Sequence, residues 1–251
     1  MHIDIQFLPS PPHPNLFSDR VVVVIDVLRA TSVMVQAISQ GASEIIPLAT
    51  VEEAFRMAKA FPRDFILLGG ERESKGIPGF DLGNSPREYV AERVNGKKII
   101  LTTTNGTKAF HSVSSGKEIL VGSFLNIEAT AQRCVELDRD LFIFPSGDEG
   151  NFSLEDTLCG GMLIDVIVRK GKKQNFLTDA SYCAQILYER FKNNSVEAFR
   201  VSHHGKELIH RGFEEDLAFC AQMDTTPLVP IFRQGVIRAP RPPSLSAEGR
   251  G

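Results

Sequence analysis

The sequence predicts an α/β protein of three layers, α/β/α. It expects a mostly parallel or mixed sheet, helices on both faces and a helical C-terminal part. Three observations carry this expectation. Val21-Val22-Val23-Val24-Ile25 is a β-branched run with no polar residue, the pattern of a strand buried on both faces. Short apolar runs alternate with helix-patterned stretches as far as Arg169, as in parallel sheets covered by helices. Beyond Gly171 helical periodicity dominates.

The elements follow in order. The run 21–25 leads through Asp26-Val27-Leu28-Arg29-Ala30-Thr31-Ser32 into an apolar helix, Val33 to Gln40, stopped by Gly41. Residues 44–49 form a second strand, and Thr50-Val51-Glu52-Glu53 has the spacing of a capping box before a helix to Ala60. A third strand, 65–68, ends in Gly69-Gly70-Glu71-Arg72 and opens a long loop from Glu73 to Pro86. Loops of that length inside compact domains are commonly functional or disordered. A short helix over 87–93 precedes a strand at 98–101, which turns through Thr102-Thr103-Thr104-Asn105-Gly106-Thr107 into a helix at 108–112. The strand 118–123 is followed by a helix over 127–137 capped by Asn126. The strand 141–144 runs into Pro145-Ser146-Gly147-Asp148-Glu149-Gly150-Asn151, and Ser153 caps a helix to Arg169 with Asp156 as its acidic third residue. Helices are expected at 180–192, 196–211 and 214–222. Leu228-Val229-Pro230-Ile231-Phe232 reads as an edge strand, because proline sits best at a sheet edge. Residues 1–238 are read as one α/β domain, with the helical part from about 171 as an alternative second lobe. The tail 239–251, rich in Pro, Ser and Gly, is expected to be disordered.

Composition narrows the function. With 28 Lys+Arg against 31 Asp+Glu, the formal charge of −3 lacks the basic surplus of a nucleic-acid binder. The apolar runs are only a few residues long, so no membrane span is expected. The start, Met1-His2-Ile3-Asp4, does not resemble a secretory signal. Cys134, Cys159, Cys183 and Cys220 show no CxxC spacing and read as free thiols in a reducing compartment. The expectation is therefore a cytoplasmic protein, with no nucleic-acid or membrane partner and with homo-oligomerisation open.

In parallel sheets ligands bind at the carboxyl ends of the strands. That rule selects the segments after Ile25, Leu68, Leu101 and Phe144 as walls of one site. Thr103, Thr104, Asn105, Gly106 and Thr107 offer hydroxyls, an amide and a close backbone approach at a helix start, suited to phosphate or sulfonate or simply to capping. Asp26, at the end of an apolar strand, is a metal ligand, a base or a turn-former. Arg29, near a helix start where the dipole disfavours a cation, either meets an anion or faces solvent. Glu71 and Arg72 pair opposite charges in the same mouth, or form a solvated loop. Asp148, Glu149, Glu155 and Asp156 are the densest acidic cluster at any strand end. With Asp26 they could close on a hard cation, since magnesium needs only one or two carboxylates. His203, His204, Glu207 and His210 lie on one expected helix, with His203 and Glu207 four apart and His203 and His210 seven apart on the same face. They could bind zinc, but they lack HExxH order and the polar helix reads as solvated. Cys159, in Leu158-Cys159-Gly160-Gly161, reads as close packing rather than a nucleophile. No GxxxxGK[ST], strand-borne GxGxxG or GxSxG is present, which disfavours P-loop kinases, that dinucleotide fold and α/β-hydrolases.

Four ordered blocks carry a resemblance. Val24-Ile25-Asp26-Val27-Leu28-Arg29-Ala30-Thr31-Ser32 resembles the N-terminal signature of the 2-phosphosulfolactate phosphatases, the ComB family. So do Gly69-Gly70-Glu71-Arg72 with the following Gly79-Phe80-Asp81-Leu82-Gly83-Asn84-Ser85-Pro86, then Thr102 to Thr107, then Gly147 with Glu155-Asp156 and Cys159-Gly160. The resemblance implies a magnesium-dependent hydrolase releasing phosphate from 2-phospho-3-sulfolactate, a step of coenzyme M synthesis. The chemistry assigns Asp26, Glu155 and Asp156 as metal or water-orienting carboxylates. Glu71 is an alternative ligand or base, and Arg29 and Arg72 are clamps on anionic oxygens. Thr103 to Thr107 would hold phosphate or sulfonate, Thr31 and Ser32 are expected to bind substrate with them, and Asn84 and Ser85 would close the loop side. Water attack and an aspartyl-phosphate at Asp26 both remain open, the missing DxDx[TV] motif favouring water. The alternatives are a phosphatase or phosphotransferase for another small acidic metabolite, and a non-catalytic anion-binding protein.

Overall fold

The computed structural model describes residues 1–9, 16–171 and 174–240. Eleven strands form one mixed sheet: β1 (His2–Ile5), β2 (Val21–Ile25), β3 (Glu44–Pro47), β4 (Ile66–Arg72), β5 (Lys75–Gly76), β6 (Lys98–Thr102), β7 (Glu118–Gly122), β8 (Leu141–Pro145), β9 (Phe176–Leu177), β10 (Ile231–Arg233) and β11 (Val236–Arg238). Their order is β5-β4-β6-β3-β11-β10-β7-β2-β8-β1-β9. Between them run α1 (Ala30–Ser39), α2 (Val51–Ala58), α3 (Ala91–Val94), α4 (Gly106–Ser112), α5 (Ile127–Leu137) and α6 (Leu154–Lys170). The C-terminal part adds α7 (Asp179–Phe191), α8 (Ser195–Val201), α9 (His203–His210) and α10 (Glu214–Cys220).

Strands β4, β6 and β3 pair in parallel, as do β7, β2, β8, β1 and β9. The hairpin β10–β11 separates these two blocks by three successive antiparallel pairings, with β7, within itself and with β3. The blocks therefore run in opposite hydrogen-bonding sense. Each step of a sheet adds roughly 20–25° of twist, so five steps from β2 to β6 rotate the strands by about 100–125° and offset part of that opposition. The two carboxyl edges then meet. A Cβ on Gly106, after β6, would lie 2.6 Å from Asp26 Oδ2, after β2, so only glycine admits this approach.

Residues 228–232 therefore do not form an edge strand. The strand begins after Pro230 and lies in the middle of the sheet. Pro230 uses only its carbonyl, which accepts from Val121 N at 2.9 Å, so its missing N–H leaves no gap. Thr50 does cap α2 by a full capping box, and Ser153 caps α6 at Asp156 N. Asn126 precedes α5 but its buried amide is used elsewhere. It accepts from Ser123 N and donates to Val121 O and Leu228 O, binding the last segment to β7. The helix expected at 87–93 is a 3-10 turn at Pro86–Glu88 and then α3. The helix expected at 196–211 is broken at Ser202 into α8 and α9. Of the tail, Ala239 and Pro240 are exposed, and 241–251 lie outside the described residues.

Three apolar clusters hold the layers together. One packs β1, β2 and β8 against α5, α6 and the C-terminal helices. A second, on the other face, joins residues of both blocks to α1 and Phe110 of α4. A third, smaller one packs Ala54 of α2 on β3, β4 and β6. Cys159 lies in the first of these, fully buried, its thiol pushed well up by burial. Cys134 and Cys220 are buried free thiols and Cys183 is exposed. Among the described residues no helix is long and apolar enough to cross a membrane.

Candidate active site

The carboxyl ends of β2, β4, β6 and β8 open on one cavity of about 210 Å³. Asp26, Leu28 and Arg29 line it from the turn after β2. Glu71, Glu73 and Ser74 come from the end of β4, and Asn84 from the long loop that follows. Thr103, Thr104 and Asn105 come from the turn before α4, and Asp148 and Glu149 from the segment after β8. The last wall is His204 and Glu207 of α9 with Arg211 beyond it. Six carboxylates thus face two guanidinium groups and one imidazole.

The turn after β2 is closed on itself. Asp26 Oδ1 accepts from Ala30 N at 3.1 Å. Thr31 Oγ1 donates to Asp26 O and accepts from Asp26 N, and Ser32 Oγ donates to Val27 O. Thr31 and Ser32 therefore shape the turn from behind and do not line the cavity. Burial pushes the Asp26 carboxyl above its ordinary range, against hydrogen bonds from Ser146 and Ala30 N. Asp156 Oδ1 accepts from Val27 N at 2.8 Å and its Oδ2 from Ser146 Oγ at 3.3 Å. Burial, then the Asp26 and Glu155 charges, push Asp156 well up. Glu155 is raised by burial too, against its own backbone N–H, His204 and Ser202. Both lie behind the cavity wall, so of Asp26, Glu155 and Asp156 only Asp26 lines it.

Arg29 is 2% exposed, with Nη1 2.6 Å from Asp216 Oδ2. Its guanidinium lies over the Phe213 ring, 4.3 Å from the centroid, and Nε has no partner. Ser85 does not line the cavity. Its Oγ donates to the other Asp216 oxygen at 2.6 Å. Its neighbour Asn84 does line it, with a buried Oδ1 that has no partner.

Glu71 ties two walls together. Oε1 accepts from Thr104 N at 2.8 Å, and Oε2 from Ser74 N at 2.8 Å and Thr104 Oγ1 at 3.1 Å. Arg72 points away from the cavity. Its guanidinium donates to Ala49 O, Glu71 O and Thr102 Oγ1, which uses it in holding β4 to β6. Thr107 and Thr103 bond each other across the first turn of α4, while Thr103 keeps a face on the cavity. Asn105 Oδ1 accepts from Glu149 N at 3.3 Å, joining the β6 and β8 walls.

The wall from α9 differs from the sequence reading, which took this face as solvated. Its spacing carried a signal, since residues 204, 207 and 211 share one helical face. His204 Nδ1 is buried without a hydrogen bond, 3.7 Å from Glu207 Oε2 and 3.9 Å from Asp148 Oδ1. His203 does face solvent, and its bond to Asp148 raises its pKa. Burial pushes Glu207 up, but Arg211 and His204 outweigh this and hold it below its ordinary value. Asp216 gave no signal, because acids in a first helical turn are commonplace.

Among the described residues no group of three or more His, Cys, Asp or Glu forms a ready-made metal cage. Asp26, Arg29, Glu71, Asn84, Thr103, Thr104 and Asn105 nevertheless meet at one cavity, with Asp156 directly behind the first.

Comparison with known proteins bears on what this cavity serves. The family model described as 2-phosphosulpholactate phosphatase matches residues 7–235. A probable 2-phosphosulfolactate phosphatase of Caldanaerobacter subterraneus is 42% identical over 217 residues, covering 86% of this chain and 89% of the relative. Proteins of the same description from Clostridium acetobutylicum and Symbiobacterium thermophilum are 39% and 37% identical, covering 94% and 90% of this chain and 100% and 97% of theirs. The chain belongs to the 2-phosphosulfolactate phosphatases, a family of phosphoric monoester hydrolases.

Proposed function

We propose that this protein is a cytoplasmic, magnesium-dependent phosphatase that converts 2-phospho-3-sulfolactate to 3-sulfolactate and phosphate, the reaction type of coenzyme M synthesis. The observation that carries the reading is the convergence of the four strand-end segments on one cavity. Full-length likeness to proteins described as probable phosphatases of that substrate supports its identity.

The cavity's own chemistry supports a cation. A substrate with phosphate, sulfonate and carboxylate is repelled by six carboxylates unless positive charge stands between them. Asp26 and Asp156 are both buried, and both draw on Ser146, whose hydroxyl has one hydrogen to donate. A hard divalent ion at Asp26, backed by Asp156 and Glu155, relieves that conflict. It needs few protein ligands when water and phosphate complete its shell. Bound there, it would supply charge stabilisation at the phosphoryl oxygens.

The chain's own groups do the rest. Arg29 Nε, Asn84 Oδ1 and His204 Nδ1 are the unpartnered buried polar atoms on residues lining the cavity. The Arg29 Nε–H suits a substrate oxygen, whereas Asn84 Oδ1 accepts, from a hydroxyl or a bound water, and closes the loop side. Thr103, Thr104 and Asn105 present the start of α4 to an anion, and Gly106 lets that backbone come close to Asp26. Asp26 orients the attacking water. Glu71, whose oxygens already hold Thr104 and Ser74, fixes the opposite wall and is the alternative base.

The test is phosphate release from synthetic 2-phospho-3-sulfolactate beside a panel of simple phosphomonoesters. Release should be selective for the sulfonate, abolished by EDTA and restored by magnesium. Equal turnover across the panel would overturn the substrate, and turnover untouched by chelator would overturn the metal.

A further inference from the structure

We propose that Asp216 is a positioning residue for this site. It holds Arg29 so that the Nε–H meets an oxyanion of the bound substrate, and it thereby makes the C-terminal helices part of the recognition apparatus. The proposal rests on the phosphatase reading and extends it to a residue outside the four strand-end segments.

Arg29 and Asp216 are 2% and 1% exposed and meet at 2.6 Å. Ser85 holds the second oxygen of Asp216, so the carboxylate is clasped between the turn after β2 and the long loop. The Phe213 ring, three residues before Asp216, lies beneath the guanidinium. One tether at Nη1 and one face on a ring fix both the position and the plane of a planar fork.

A purely structural pair explains this poorly. Buried ion pairs contribute little net stability, because desolvation offsets their attraction. A structural pair would also use all the donors it buries, since an unmet buried donor is costly. Here Nε is buried with no partner, on a residue that lines the cavity. Asn84, next to Ser85, has an unpartnered buried oxygen in the same cavity. Arg29 binds Asp216 itself and Asn84 adjoins Ser85, which also binds it. An unmet donor on the one and an unmet acceptor on the other are what a site preorganised for a ligand leaves open.

The experiment is a double-mutant cycle of Asp216→Asn and Arg29→Ala. All four proteins are assayed for kcat and KM on 2-phospho-3-sulfolactate. They are also titrated calorimetrically with inorganic phosphate and, separately, with 3-sulfolactate. Asp216→Asn should raise KM at least tenfold with a smaller change in kcat, and should weaken one of the two ligands by a similar factor. Whichever ligand weakens identifies the end of the substrate that Arg29 holds. In the Arg29→Ala background the same change should cost nothing further. Losses that multiply in the double variant, an unchanged KM in Asp216→Asn, or binding of neither anion to the parent protein would overturn the proposal. Binding without turnover in the parent protein would overturn the phosphatase reading instead, and the calorimetric cycle would still decide the role of Asp216. Should Asp216→Asn fail to fold, Ser85→Ala, which frees one oxygen of the same carboxylate, takes its place in the cycle.

Discussion

Asp26 concentrates the conflict on which the site is built. Its side chain is 7% exposed, accepts from the first turn of α1, and stands beside the buried Asp156. Burial alone makes the ionised form costly, and a second carboxylate adds to that cost. Asp26→Asn keeps an oxygen for Ala30 N while removing the charge. It should therefore fold with an unchanged or higher Tm near neutral pH, yet lose at least about a hundredfold in kcat, or ~2.7 kcal/mol of barrier. Steady-state phosphate release together with a thermal melt checks both halves. Survival of activity within about tenfold would remove Asp26 from the chemistry. At this scale Asp26 was legible because a carboxylate ending an apolar strand is conspicuous. The inward-facing state of Arg29 was half legible, since a cation at a helix start needs an anion. The sequence did not show that the first anion is Asp216, 187 residues away.

The helix pair α8–α9 shows what one residue can do for an element. Periodicity runs through 196–211, but Ser202 is at once the C-cap of α8 and the N-cap of α9. Its Oγ accepts from Gly205 N and donates to Phe199 O, both at 3.0 Å. The break is tight enough that a Cβ on Gly205 would lie 1.8 Å from Phe199 O. It turns His204, Glu207 and Arg211 toward the cavity instead of along a single straight helix. Ser202→Ala should cost about 1 kcal/mol and at most about 2, the range of a lost N-cap. In a chain of this size that lowers Tm by roughly 2–8 °C. Because the cavity wall moves with α9, kcat/KM should fall as well, whereas Ser202→Thr should retain both. A melt and a kinetic assay of the two variants test this, and a stable Ser202→Ala enzyme with full activity would show that the break is held by Gly205 alone. Most strands and the two capping serine and threonine positions were readable from apolar runs and local capping chemistry. The break at Ser202 and the central place of 231–233 were not. Both depend on contacts with distant backbone, Phe199 O against Gly205 in one case and Val121 N with Pro230 O in the other, and not on local pattern.

Across the whole molecule the site is assembled at the expense of stability, and the charge pattern shows where. Asp26, Glu155 and Asp156 have raised pKa values, so the folded chain binds protons there that the unfolded chain has released. Their contribution therefore falls as pH rises from the ordinary carboxyl range through the raised values, and the full penalty is present above them. Glu44 has the opposite sign. Burial raises it, but Lys98 of β6 and Arg238 of β11 outweigh that and hold it low, so its stabilisation is lost as pH falls below 4.5. Glu44 thus strengthens the seam where the hairpin joins the β3–β6–β4 block, while the three buried acids strain the carboxyl end of β2 and the first turn of α6. A divalent cation that removes the strain competes with protons for the same carboxylates. Magnesium at about a hundred times its Kd should stabilise the fold by ~2.7 kcal/mol. At ~2–4 °C per kcal/mol for a chain of this size, Tm should rise by at least about 5 °C at pH 8. The rise should shrink toward pH 5 and vanish in Asp26→Asn, while Glu44→Gln should lower Tm at pH 8 without altering the magnesium increment. Melts of the three proteins at both pH values, with magnesium and with EDTA, separate the seam from the site. An increment equal at both pH values, or one that persists in Asp26→Asn, would place the cation somewhere other than the buried acids.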